Sequence, residues 1–273
     1  MICTLGDLLL DVIVRAPQLF ATGADTTVET RVTSGGQAAN VAAWVAELGE
    51  SARFVGKQAR DEAGALAQSL LEQRGVELAG PRAEGKTGVV VSFVAPDGER
   101  SMATDRGIAP ELRAEELDPA WLAGCRWLHL SDYGLLAEPI AGAALEAARL
   151  AREQGAQVSV DLSSWSAIRE HGPKRFRARL EELGPDVVFA NEPEWELVGG
   201  AYGLSEAAVV KRGSRGVTVF GANGAEEHAS AGGEVVDTTG AGDALAAGFI
   251  VGGIRLGLEA AARCIGQLGA VPA

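Results

Sequence analysis

Cysteine, histidine, aromatic residues and positive charge are all scarce in this chain. Cys3, Cys125 and Cys264 are the only thiols in 273 residues. Being odd in number and far apart, they predict buried free thiols in a reducing cytoplasm rather than a disulfide framework. His129, His171 and His228 share no ligand spacing with cysteines or acids, which predicts no zinc site. Aromatic residues are 5% of the chain, and the five tryptophans read as packing rather than sugar platforms. Lys and Arg number 24 against 37 Asp and Glu, a formal net charge of −13. That balance repels nucleic acid and anionic membranes, so neither is expected as a partner. An anionic substrate could bind only where local groups reverse the field. The longest apolar stretches are broken by charge or glycine, and none reads as a membrane span. The first residues, "MICTLGDLLLDVIVR", lack a basic region and carry Asp7 and Asp11, so no signal peptide is expected.

Hydrophobic residues, at 47%, suffice for a large core. No linker, repeat or low-complexity tail divides the chain, which predicts one domain over 1–273. Apolar strands and helical stripes alternate. "ICTLG", "RFVG", "RWLHLS", "QVSVDL", "DVVFAN" and "GVTVF" read as buried strands. Helices are expected at 36–49, with Ala39, Ala43 and Ala46 on one stripe, and at 61–74, 138–154, 173–182, about 241–252 and 258–268. Such alternation predicts a mainly parallel sheet covered by helices on both faces. Two polar, strand-like segments do not fit it: 12–33, and 87–105 around the turn signal Pro96-Asp97-Gly98. They are expected to form a small β-sheet lid.

Two stretches look like phosphate cradles. "GPRAEGKT", 80–87, satisfies the full Walker A pattern G-x-x-x-x-G-K-T. Its context is wrong. "VELAG" before it makes at best a very short strand. Pro81 removes an amide where one is wanted, and the β-branched "TGVVVSFV" follows instead of a helix. The stretch reads as a turn leading into the lid. "TTGAGDALAAGF", 238–249, has the opposite profile: Gly240 and Gly242 precede an Ala-rich helix, so free amides point at a ready anion site. Asp243 in the first turn is either a functional acid or a helix-stabilising charge.

Four motifs occur in order: "SGGQAANVAAWVAELG", "NEPE" at 191–194, "KRGSRG" at 211–216, and "DTTGAGDALAAGF". Together they resemble the ribokinase-like (PfkB) family of sugar and nucleoside kinases over nearly the whole chain. The resemblance implies a doubly wound three-layer αβα core with a β-sheet lid, and phosphoryl transfer from ATP to a hydroxyl of a small carbohydrate. By its motifs, Asp243 matches the catalytic base, and the amides of Gly240, Ala241, Gly242 and Asp243 match an anion hole for the transferred group. Asn191 and Glu194 match an N-x-x-E motif that holds Mg²⁺ largely through water. The same residues also read as a helix cap with first-turn acids. Gly213 and Gly216 match the nucleotide-side loop, with Lys211 and Arg212 as two cations for the polyphosphate, although an exposed turn fits too. Asp237 matches a position tied to K⁺ in some members. Asp11, Gly35, Gly36 and Asn40 match the sugar-side motif; taken singly, Asp11 reads as an exposed strand end and Asn40 as a solvated helix residue.

Departures from the family pattern carry their own expectations. Gln37 stands where ribokinases often have Lys, which argues against ribose as the specific acceptor. The stretch between Glu194 and Lys211 leaves little room for the usual crossover helix, and "CIGQLGAVPA" implies a short adenine-side wall. Nucleoside and cyclitol kinases of the same family, and a non-catalytic sugar- or nucleotide-binding protein on this fold, fit the same residues. A Walker-type NTPase acting through Lys86 is the third class. The strand edges of the lid would suit a homodimer.

Overall fold

The computed structural model describes residues 1–16, 23, 25–94, 100–200 and 203–273. The turn expected at Pro96-Asp97-Gly98 lies outside the described residues, as do parts of the 12–33 segment.

The chain opens with β1 (Ile2–Leu5), whose four residues are all buried. β2 (Leu9–Arg15) and β3 (Glu29–Gly35) leave the core, and α1 (Gln37–Glu47) returns to it. Next come β4 (Ala52–Val55), the two-residue β5 (Gln58–Ala59), α2 (Glu62–Glu72), β6 (Val76–Ala79) and the two-residue β7 (Arg82–Ala83). The antiparallel pair β8 (Thr87–Val94) and β9 (Arg100–Gly107) follows. Alternation then resumes with β10 (Trp127–Ser131), α3 (Ile140–Glu153), β11 (Gln157–Asp161), α4 (Trp165–His171), α5 (Pro173–Leu183) and β12 (Val187–Asn191). The described chain closes with α6 (Glu192–Leu197), β13 (Ala207–Lys211), β14 (Val217–Gly221), β15 (Gly224–His228) and α7 (Ala241–Ile265).

The large sheet runs β15-β14-β13-β12-β11-β10-β1-β4-β6 among the described residues. It is parallel from β13 to β6, and β14 is antiparallel to both its neighbours. Apolar residues on alternate faces of these strands build two cores. One holds Leu5, Leu128, Leu130 and Val160 against α3 and α5; the other holds Ile2, Phe54 and Phe189 against α1 and α7. From β1 the strand order proceeds in opposite directions, through β4 on one side and β10 on the other. The crevice at the carboxyl ends of β1 and β10 is therefore where an open α/β sheet receives ligands.

The second sheet, β3-β2-β8-β9, is the lid. Alternation along its strands sorts the side chains. Leu9, Asp11, Val90, Met102 and Thr104 line the cleft. In the register of the sheet, Val12, Val32 and Val91 lie on the opposite face.

Some elements differ from the sequence reading and others match it. β15 ("GAEEH") is polar and mostly exposed; pairing with β14, not propensity, makes it a strand. The crossover from β12 to β13 is as short as expected: α6 covers only Glu192–Leu197, and among the described residues no further helix precedes β13. The two helices expected after 240 are both present: α7 is two helical segments meeting at a kink, where Gly252 and Gly253 (φ +81) leave the helical backbone. On length and composition alone α7 could cross a membrane, but Ala244, Leu245, Ala247 and Ile250 are buried in the core shared with α1. "VELA" is a true edge strand, β6, yet no helix follows it, so the Walker pattern has half its context.

Candidate active site

One end of the cleft, at the start of α1, is built by two glycines. A Cβ on Gly35 would stand 1.9 Å from Asp11 Oδ1, and one on Gly36 (φ +93) would stand 2.3 Å from the Asp7 carbonyl oxygen. Only bare backbone lets the Asp11 carboxyl nest at the start of α1. Among the described residues, Asp11 Oδ1 and Asn40 Oδ1 are buried without hydrogen-bond partners. Burial, with no cation to offset it, pushes Asp11 up to about 7. Asn40 Nδ2 donates to Asp243 Oδ2 at 2.8 Å. The solvated Asn40 and the exposed strand end at Asp11 are thus corrected: both side chains are buried, and both line the cleft between the lid and the core.

The glycine turn at the start of α7, the candidate phosphate turn, faces them. Gly240 caps α7 in the left-handed region (φ +78), and a Cβ there would meet the Ala270 Cα at 2.5 Å. The first-turn amides of Gly242 and Asp243 have no acceptor within the helix. Asp237 shapes the turn: its Oδ1 accepts from the Thr239 amide (2.9 Å) and hydroxyl (2.6 Å), and its Oδ2 from the Gly269 amide (2.9 Å). The oxygens that the sequence reading offered to K⁺ are engaged by the protein itself. Burial raises the Asp243 carboxyl to about 7; the Asn40 bond opposes this, Asp161 adds to it, and Lys211 and Gln37 oppose it.

Two cavities meet beside this turn. The first, about 490 Å³, contains Asp11, Asn40, Arg106 and Asp243 together with Asn191 and Glu194. The second, about 460 Å³, is walled by Val217, Val235, Leu245, Leu258, Ala261 and Ile265. Lys211, Gly213, Thr238 and Gly242 line both. The second half of α7, with Leu258, Ala261 and Ile265, supplies one wall of this second cavity. The residues after α7 instead fold under the phosphate turn, where the Ala270 carbonyl accepts from Trp44 Nε1 at 2.8 Å. Gly216 (φ +87) lines the second cavity, and a Cβ there would lie 2.0 Å from the His228 carbonyl oxygen.

The two expected free cations are not free. Lys211 Nζ donates to both oxygens of Asp161 at 2.7 Å, and Arg212 is paired with Glu227 at 2.8 Å. Burial would depress the Lys211 ammonium, but Asp161 and Glu194 outweigh it and hold it above the usual lysine value. Asn191 and Glu194 form a reciprocal capping box: Glu194 N donates to Asn191 Oδ1 at 2.9 Å, and Asn191 N to Glu194 Oε2 at 2.8 Å. Their cap role and their place in the cavity therefore coexist.

Sequence reasoning missed three groups. Arg106 reaches from β9 to Asp7 with a two-pronged ion pair, Nε to Oδ2 at 2.6 Å and Nη2 to Oδ1 at 2.9 Å, and lies over the Tyr133 ring. Asp161 ends β11, and the last residue of a buried parallel strand was signal enough to flag it. Ser163, the non-glycine residue with positive φ (+27) among the described residues, donates its hydroxyl to Gln37 Oε1. Lys86 of the Walker pattern is 70% exposed, pairs with Asp105 and lines neither cavity.

Comparison with known proteins agrees with this geometry. Residues 1–270 match the family described as "pfkB family carbohydrate kinase". An ATP-dependent ribose-1-phosphate kinase of Halopiger xanaduensis is 34% identical, over 95% of this chain and 88% of its own. A fructokinase of Escherichia coli is 32% identical, over 82% and 78%. The crystal structure of adenosine kinase from Sinorhizobium meliloti, 27% identical, superposes with a TM-score of 0.88 over 99% of this chain and 95% of that one. With two cavities meeting at a glycine turn and a family match over almost every residue, the chain belongs to the pfkB family of carbohydrate kinases, ATP-dependent enzymes that phosphorylate a small carbohydrate.

Proposed function

We propose that Asp243 is the base of this kinase and that the acceptor sugar lies in the first cavity, with ATP in the second. The Asn40–Asp243 bond carries this reading. It ties the sugar-side helix to the phosphate turn across 203 residues, in the first cavity and next to Gly242, which lines both. The acceptor hydroxyl oxygen bonds the γ-phosphorus, the bond to the β–γ bridging oxygen breaks, and ADP leaves. The hydroxyl proton passes to Asp243, whose pKa of about 7 suits a base near neutrality. The amides of Gly240, Ala241, Gly242 and Asp243 meet the charge on the transferred group. Asp11, Gly35, Gly36 and Asn40 hold the sugar hydroxyls, and the lid excludes competing water. Lys211, Gly213 and Gly216 border the nucleotide.

Asn191 and Glu194 suit a largely hydrated Mg²⁺: both are oxygen donors, both line the first cavity, and among the described residues neither is paired with a cation. When bound there, Mg²⁺ would neutralise charge on the phosphates. Asp237 suits K⁺ less: its oxygens hold the turn and, unlike Asn191 and Glu194, it lines neither cavity.

Arg106 favours a second reading of the acceptor. It is the cation on the lid side of the first cavity, where a phosphosugar such as the ribose-1-phosphate of the Halopiger relative would bring an anion. Fructose-like sugars, nucleosides and cyclitols are the other classes. We read the chain as one cytoplasmic domain with the lid as an insertion, which self-associates through that lid.

A coupled ADP-release screen of free sugars, ribose-1-phosphate, nucleosides and inositols tests the assignment. Mg²⁺-dependent turnover with one class is expected. Tight binding without turnover anywhere in the panel would instead mark a non-catalytic binding protein.

A further inference from the structure

Lys211 lines both cavities, Asp161 beside it lines the first, and their pairing does not fit Lys211 as a surface cation beside a polyphosphate tail. Asp161 is fully buried at the end of β11. Both its oxygens accept from Lys211 Nζ at 2.7 Å, and its Oδ1 also accepts from the Ser163 amide at 3.2 Å. Ser163 holds a strained backbone (φ +27) and is tied through its hydroxyl to Gln37 on α1. The carboxylate is thus fixed from two sides. It in turn fixes the ammonium next to the phosphate turn: a Cβ on Gly242 would lie 3.1 Å from Lys211 Nζ, its nearest neighbour. An ammonium has three donors, and Asp161 engages two.

We propose that Asp161 is a positioning residue that holds the Lys211 ammonium beside Gly242, so that Lys211 meets the phosphoryl group during transfer rather than the tail of bound ATP. This rests on the kinase reading above. A flexible lysine would have to be ordered at the moment of reaction. One clamped by a buried carboxylate is already in place, and such preorganised charge acts chiefly on the transition state. A cation serving the transition state changes kcat far more than nucleotide affinity.

The test uses the full chain with Lys211→Met, Asp161→Asn and the double variant. Lys211→Met leaves a buried carboxylate alone and is expected to lower the melting temperature; the double variant removes both charges and recovers it. Each single variant is expected to lose at least tenfold in kcat, with KM for ATP within threefold. The double variant is expected to be no faster than Lys211→Met despite its recovered stability. Binding of ADP with aluminium fluoride, a mimic of the transferred phosphoryl, should weaken at least tenfold in all three, while ADP alone binds within threefold. Recovery of kcat together with stability in the double variant, or equal losses for ADP with and without fluoride, would overturn the proposal. A wild-type chain that turns over no acceptor and binds no ADP would overturn the kinase reading itself.

Discussion

Asp243 is a carboxyl whose position conflicts with its charge, and two expectations follow from that. Its pKa in the folded chain is about 7, against about 3.9 for an unfolded aspartate. As a base it must be ionised, so kcat/KM is expected to fall about tenfold per unit as pH drops below 7. Asp243→Asn removes the base but keeps the shape and a partner for Asn40, and a loss of at least about a hundredfold in kcat is expected. Full activity in that variant would remove Asp243 from the chemistry. The stability effect has the opposite sign. Between pH 4 and 7 the folded chain holds a proton here that the unfolded chain has lost. The contribution of this group is complete below about pH 4 and disappears as pH rises through 7. Above 7 the buried anion costs the fold up to about 4 kcal/mol, because each pH unit between the unfolded and folded values is worth about 1.4 kcal/mol. Asp243→Asn should therefore melt higher than wild type at pH 8 and equally at pH 4, checked by thermal unfolding at both. Asp11, also at about 7 from burial, should behave alike in stability when changed to Asn, while its kinetic effect should fall on acceptor KM.

Among the elements, the glycine turn and the lid carry separable expectations. Gly240→Ala places a Cβ against Ala270 in a left-handed backbone; that strain is worth about 1–3 kcal/mol, and displacing the first turn of α7 should stop turnover. Arg106→Leu leaves Asp7 buried without its partner and loosens the contact between β9 and the core, so acceptor KM is expected to rise at least tenfold. Lys86→Ala, on the same lid but exposed, should leave kcat and KM within threefold, whereas abolished nucleotide binding would restore the Walker reading. The contrast between these positions also explains what the sequence made legible. "TTGAGDALAAGF" could be read because a glycine turn and a helix are local and contiguous, so pattern and context lie together. β15 could not, because an exposed "GAEEH" becomes a strand only through the edge of β14. The Asp161–Lys211 and Asp7–Arg106 pairs were hidden for a related reason: each joins residues that only the tertiary fold brings within 3 Å.

For the whole molecule, net charge and the lid act against each other in self-association. Each copy carries a formal −13, so two copies repel. The lid face turned from the cleft opposes this with Val12, Val32 and Val91, of which Val32 is 47% exposed, a poor surface to leave in water. Salt separates the two effects. The Debye length falls from about 30 Å at 0.01 M to about 10 Å at 0.1 M, which screens the repulsion and leaves apolar contact untouched. If copies join through the lids, light scattering after gel filtration should show the dimer fraction growing as salt rises. Val32→Asp should return the chain to monomer without lowering its melting temperature, since that side chain supports no core. Association that weakens with salt, or survives the change at Val32, would assign the contact to charged surface elsewhere and leave the lid serving the cleft alone.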